Sequence, residues 1–221
     1  HATLRRQRQM CIRDSSKDME HDACGVGLVA STEGKKSRAV VDYGIQALKA
    51  VWHRGAVDAD GKTGDGAGIH LEIPKDFFIE KIEITGHKFD NAEICVGMIF
   101  LPRNNFDAQE TCRTIVESEL TKSNFSIYGW RQVPVNPKVL GEKADRTRPE
   151  IAQVLLKHNN KDLSGKNLER KLYETRRKIE NEAIKKSLSG FYICSLSSKS
   201  IIYKGMFLAE SISDFYIDLH C

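Results

Sequence analysis

Cys24 stands directly before Gly-Val-Gly in the stretch HDACGVGLVA, with an apolar run behind it and a charged prefix in front. Glycines 25 and 27 remove side chains beside the sulfur and leave it open to a substrate. A cysteine that begins a chain carries its own base. An α-amino group titrates near about 7.7 to 8.0, so it can take the thiol proton directly or through a water. Trimming of residues 1–23 would make Cys24 that first residue. The alternative is a buried structural thiol, the commoner use of a lone cysteine.

Two further blocks carry chemistry. In HRGA, residues 53–56, the Arg54 guanidinium can form a bidentate pair with a substrate carboxylate. Alternatively, Arg54 and His53 serve only the last carbonyls of the helix they follow. TGDGAGI, residues 63–69, is glycine-rich but lacks the Lys-Ser/Thr of a phosphate-binding loop and precedes a strand instead of a helix. It reads as a tight backbone turn near a site.

The elements that must position these blocks follow from hydrophobic period. GVGLVA, residues 25–30, reads as a strand that starts at the cysteine and ends in the turn STEGKK. Val41, Ile45, Leu48 and Trp52 recur at helical spacing behind a capping Ser37, and Gly55 ends that helix. Ile69, Leu71 and Ile73 alternate as a half-buried strand, and residues 94–100 form the clearest core strand. A helix follows with Asp107 as N-cap, Glu110 at capping-box spacing, and Cys112, Ile115, Val116 and Leu120 facing inward. FSIYGWRQVPV is extended, with Pro134 marking its end.

Residues 150–157 fit a strand or a short helix by pattern, and the strand is favoured. KNLERKLYETRRKIENEAIKKSL is a helix whose inner stripe is Leu168, Leu172, Thr175, Ile179 and Ala183, with Glu174–Lys178 and Glu182–Lys186 as i,i+4 pairs outside. FYICSLSS and SIIYKGMFL read as a hairpin or paired strands. Together these elements make one α+β domain.

Composition narrows the class further. The chain has 221 residues, 40% of them hydrophobic, which is ample for a sizeable core. Its net charge of +4 resides in Arg5, Arg6, Arg8 and Arg13, a prefix without acids, so the remainder is neutral and gives no argument for nucleic acid. No apolar run reaches the ~18 residues of a membrane span, and the prefix lacks the apolar segment of a secretory signal. The expected location is cytoplasmic. The cysteines at 11, 24, 95, 112, 194 and 221 form no CxxC pair and no short spacing with histidine, so nothing points to a metal; most are expected to be reduced core thiols.

In combination, CGVGLVA, HRGAVDADGKTGDGAGI, LGEKADRTRPEIAQ and FYICSLSSKSIIYKGMFLAESISDFY resemble the N-terminal glutamine amidotransferase domain of the large subunit of glutamate synthase. The resemblance runs from about His21 to the end of the chain, and several blocks in the right order make it specific. It implies an N-terminal-nucleophile hydrolase fold, a four-layer αββα sandwich, incomplete at the C-terminus. Residues 1–23 are then a propeptide or non-native leader, and residues 24–221 the N-terminal part of a type 2 amidotransferase domain. Cys24 matches the nucleophile and Arg54 a substrate-pocket arginine.

The implied reaction is hydrolysis of L-glutamine to glutamate and ammonia. A synthase domain of the same polypeptide then uses the ammonia to convert 2-oxoglutarate to glutamate, with reductant from a small NADPH-oxidising subunit or from ferredoxin. No cofactor is expected in this chain; FMN and an iron–sulfur cluster are expected beyond residue 221. A second glutamine-binding arginine and the Asn-Gly pair for the oxyanion are expected there too. Removing an oxyanion donor typically costs about 10² to 10³ in turnover, so these residues alone are expected to be nearly inactive. Two other readings stay open: an amidotransferase domain serving another ammonia acceptor, and a non-catalytic module with Cys24 blocked by its peptide bond to Ala23.

Overall fold

The computed structural model describes residues 25–51 and 55–220. In chain order its elements are helix α1 (Arg38–Ala50), strand β1 (Ala67–Glu72), α2 (Lys75–Ile84), β2 (Cys95–Leu101), α3 (Phe106–Lys122), β3 (Phe125–Gln132), α4 (Glu142–Thr147), β4 (Glu150–His158), α5 (Gly165–Lys185), β5 (Tyr192–Ser197), β6 (Ser200–Gly205) and α6 (Ile212–Phe215). The strands form two antiparallel sheets, one ordered β3-β4-β2-β5 and one of β1 with β6.

The run CVGMIFL lacks polar residues because β2 is covered on both faces. On one face Cys95, Ile99 and Leu101 meet Cys112, Ile115, Val116 and Leu120 of α3 and Leu168, Leu172 and Ile179 of α5. On the other, Val96 and Met98 share a core with Ile69, Ile201 and Tyr203 of the small sheet, Phe78 and Ile82 of α2, and Ile45 of α1. All five residues of the stripe expected for α5 are buried, and Thr175 satisfies its hydroxyl by donating to the Lys171 carbonyl at 2.8 Å.

Several expectations change. Residues 25–30 do not form a strand: no described strand pairs with them, and Val26 and Leu28 are 89% and 92% exposed, so the apolar run has no face to bury. Helix α1 ends at Ala50 with Val51 as its C-cap, short of Gly55, and Ser37 occupies the N-cap without a side-chain bond. Val41, Ile45 and Leu48 still join the core, whereas Trp52 lies outside the described residues. The N-cap of α3 is Asn105, whose Oδ1 accepts from the Ala108 N–H at 2.9 Å, and Asp107 sits in the first turn instead.

Residues 150–157 are a strand as expected, preceded by the unanticipated α4. On α5, Glu174 pairs with Arg170 at 3.2 Å, and Glu182 bonds Lys185 at 2.6 Å, with Lys186 contributing only its charge. Strands β5 and β6 belong to different sheets. The cause is the serine-rich turn between them. Ser197 Oγ accepts from the N–H groups of Lys199 and Ser200, while Glu169 of α5 accepts from the Ser198 N–H at 2.7 Å. The turn is thereby fixed to a helix, and the chain steps from one sheet to the other.

Candidate functional site

Both residues assigned to chemistry from the sequence, Cys24 and Arg54, lie outside the described residues, as does His53. The structure shows the framework that follows each of them. After Cys24, residues 25–30 pass α1, where a Cβ on Gly27 would stand 3.9 Å from that of Ala47. Behind Arg54, residues 56–65 fold back on themselves as a small hairpin.

The stem of that hairpin is closed by backbone pairing. Val57 bridges Gly64, Asp58 N–H donates to the Thr63 carbonyl at 2.8 Å, and Ala56 N–H donates to Asp65 Oδ2 at 2.8 Å. At the tip, Gly61 takes φ +67, a conformation that favours glycine. Asp60 organises the inside of the turn: its carboxylate accepts from the N–H groups of Lys62 and Thr63 at 2.9 and 2.7 Å and from the Thr63 hydroxyl at 2.6 Å. These bonds, with one from the Lys143 backbone, hold the Asp60 carboxyl down at about 2.

The hairpin is seated on two distant segments. Lys143 of α4 donates to Asp58 Oδ2 at 2.6 Å, which lowers the Asp58 carboxyl and raises the Lys143 ammonium. Gly141, just ahead of α4, lies so close that a Cβ there would stand 2.0 Å from Asp60 Oδ2 and 2.3 Å from Thr63 Oγ1. On the other side, a Cβ on Gly64 would meet the carbonyl group of Phe207 at 2.9 Å. Phe207 in turn stacks with Phe215 and Tyr216, and Tyr216 Oη donates to the Lys204 carbonyl at 2.8 Å. The blocks TGDGAGI, LGEKADRTRPEIAQ and YKGM, far apart in sequence, therefore form one assembly.

A buried polar group ties the four-stranded sheet to the last turn of the described chain. Arg131 of β3 donates through Nη2 and Nη1 to the two Asp218 oxygens at 2.6 and 2.7 Å, and through Nη1 to Gln153 Oε1 at 2.8 Å. Asp218 is 9% exposed, so this bidentate pair fixes the turn after α6 inside the molecule.

The described cysteines provide no nucleophile. Cys95, Cys112 and Cys194 are buried, and desolvation pushes their thiols up, Cys112 and Cys194 to about 11. They are the core thiols expected from the sequence. Among the described residues no group of His, Cys, Asp and Glu is arranged to hold a metal ion. No described helix is long and apolar enough to cross a membrane. Sequence reasoning missed Asp60, Thr63, Gly141 and Lys143; the aspartate density of AVDADG was the only local signal, because their partners lie some eighty residues away.

The sequence model of the class-II glutamine amidotransferases matches residues 24–221. The chain belongs to the class-II glutamine amidotransferases. Among individual relatives of this amidotransferase, the glutamate synthase [NADPH] large chain of Azospirillum brasilense is 56% identical over 90% of the chain. A ferredoxin-dependent glutamate synthase of Cyanidium caldarium is 39% identical over 91%, and the Arabidopsis thaliana ferredoxin-dependent glutamate synthase 1 is 40% identical over 90%. The amidotransferase chain spans 13% of the length of the first two relatives and 12% of the third. Its α+β architecture of two antiparallel sheets is compatible with an N-terminal-nucleophile hydrolase domain.

Proposed function

We propose that the chain is the start of the glutamine-hydrolysing domain of a glutamate synthase, with Cys24 as its nucleophile. The observation that carries this reading is that the family match begins on Cys24 itself. The buried, protonated state of the three described cysteines supports it, since it leaves them unsuited to attack. Residues 1–23 are then a leader whose removal frees the Cys24 amine, and residues 24–221 the first part of an αββα sandwich.

The reaction follows from that placement. The α-amino group takes the thiol proton, and the thiolate attacks the side-chain amide carbon of L-glutamine. The tetrahedral adduct collapses by breaking the C–N bond, and the departing nitrogen takes the proton back and leaves as ammonia. Water then attacks the thioester, again with the amine as base, releasing glutamate and the free thiol. Arg54 pairs with the substrate carboxylate and orients the amide toward the sulfur.

The ammonia is consumed by a synthase domain of the same polypeptide, where 2-oxoglutarate is reductively aminated to a second glutamate. FMN and an iron–sulfur cluster belong to that domain and supply its electrons. The names of the relatives give NADPH for one and ferredoxin for others as the reductant source. The test is Cys24→Ser in the complete polypeptide. Glutamine-dependent synthesis should vanish while ammonia-dependent synthesis persists; equal loss of both, or survival of both, contradicts the reading.

A further inference from the structure

We infer that Asp58, Asp60, Thr63, Gly141 and Lys143 form a latch that positions the glutamine-binding arginine block, and that Gly141 is glycine because the latch closes over it. The inference rests on the function proposed above and adds positioning residues that touch no substrate themselves.

The argument begins at the hairpin. Ala56 is fixed by its bonds to Asp65, and two residues before it stands Arg54, within about 7 Å along the chain. Whatever holds the hairpin therefore limits where the arginine can stand. A ten-residue loop of small and charged residues has little apolar area with which to fix itself: Val57 is 48% exposed, while Thr63 is 2% exposed. Polar bonds and close backbone contact must do that work. Asp60 gathers the turn from inside through Lys62 and Thr63, and Asp58 ties it to Lys143 at 2.6 Å.

Gly141 is the point where the two segments touch. Its backbone, at φ −72 and ψ 160, suits any residue, so conformation does not require glycine there. Space does: a methyl group would stand 2.0 Å from Asp60 Oδ2 and 2.3 Å from Thr63 Oγ1, well inside contact distance. Those atoms are the ends of two side chains and can swing away. An alanine is thus accommodated by opening the latch and not by unfolding the domain. The opposite support, Gly64 against Phe207, remains and lets the hairpin pivot.

The experiment compares Gly141→Ala, Thr63→Val and Thr63→Ser in the complete polypeptide, with glutamine-dependent and ammonia-dependent synthesis measured on each. A displacement of about 1 Å in a reacting complex can cost about a hundredfold, so Gly141→Ala is expected to lower kcat/KM for glutamine by about ten- to a hundredfold. The loss should fall on KM and kcat together, since the arginine both holds the carboxylate and orients the amide toward the sulfur. Ammonia-dependent synthesis should be unchanged. Thr63→Val keeps the shape but not the donor and should behave similarly; Thr63→Ser restores the hydroxyl and should recover most of the loss.

Parental glutamine kinetics in both Gly141→Ala and Thr63→Val overturn the latch, as does equal loss of the two activities. Cys24→Ser, measured alongside, separates the two ideas. If it abolishes glutamine use while Gly141→Ala is parental, the latch alone is wrong. If glutamine use survives in Cys24→Ser, the functional reading fails, and the latch's task with it.

Discussion

The four-stranded sheet with α3 and α5 and the hairpin of residues 56–65 are held together by different forces. In the first, β2 is buried on both faces and α5 sets an unbroken stripe against it, so cohesion comes from apolar area. In the second, two aspartates, a threonine, a lysine and two closely approached glycines fix a loop with almost no core of its own. Apolar packing is non-directional and tolerates many solutions, whereas the hairpin depends on particular atoms at particular distances. Stability should therefore be governed by the first region and glutamine use by the second.

That contrast can be broken from either side. The largest effect on folding is expected at Leu172, fully buried between α5 and the sheet: Leu172→Ala removes its methyl groups from the core and should cost about 2 to 5 kcal/mol. Thermal or denaturant unfolding measures it. The fraction that stays folded should retain its parental KM for glutamine, and a large change in KM would show that the two regions are not independent.

Arg54→Lys sharpens the comparison from the other direction. The substitution keeps the charge but loses the planar fork, so kcat/KM for glutamine should fall while the melting temperature barely moves. If the arginine serves only as a helix-end charge, lysine replaces it with no kinetic effect, because such a charge contributes about 0.3 to 1 kcal/mol in either form. Kinetics and melting measured on one preparation distinguish the outcomes.

The same division explains how much the sequence reveals. The stripe of α5 was legible residue by residue because helical period depends only on local spacing. The core strand at β2 was legible from its unbroken apolar run. The pairing of β5 and β6 was not, since their separation into two sheets depends on Glu169, about thirty residues earlier, capturing the Ser198 turn. Residues 25–30 carry a short apolar run that suits a strand, yet a strand also needs a partner edge, and none of the described strands supplies one. At the candidate site, Cys24 and Arg54 were assigned by resemblance, and both lie outside the described residues. The latch was not legible, because a glycine's spatial neighbour 80 residues away leaves no trace in local pattern.

The central claim is that Cys24 acts as a nucleophile activated by its own amine, and the most direct test is the N-terminus of the active enzyme. N-terminal sequencing, with the intact mass of the same purified, glutamine-active protein, should find Cys24 as the first residue and residues 1–23 gone. Full glutamine-dependent activity in a preparation whose Ala23–Cys24 peptide bond is intact would contradict the account, because the nitrogen's lone pair would then be delocalised into the Ala23 carbonyl and could not accept the thiol proton.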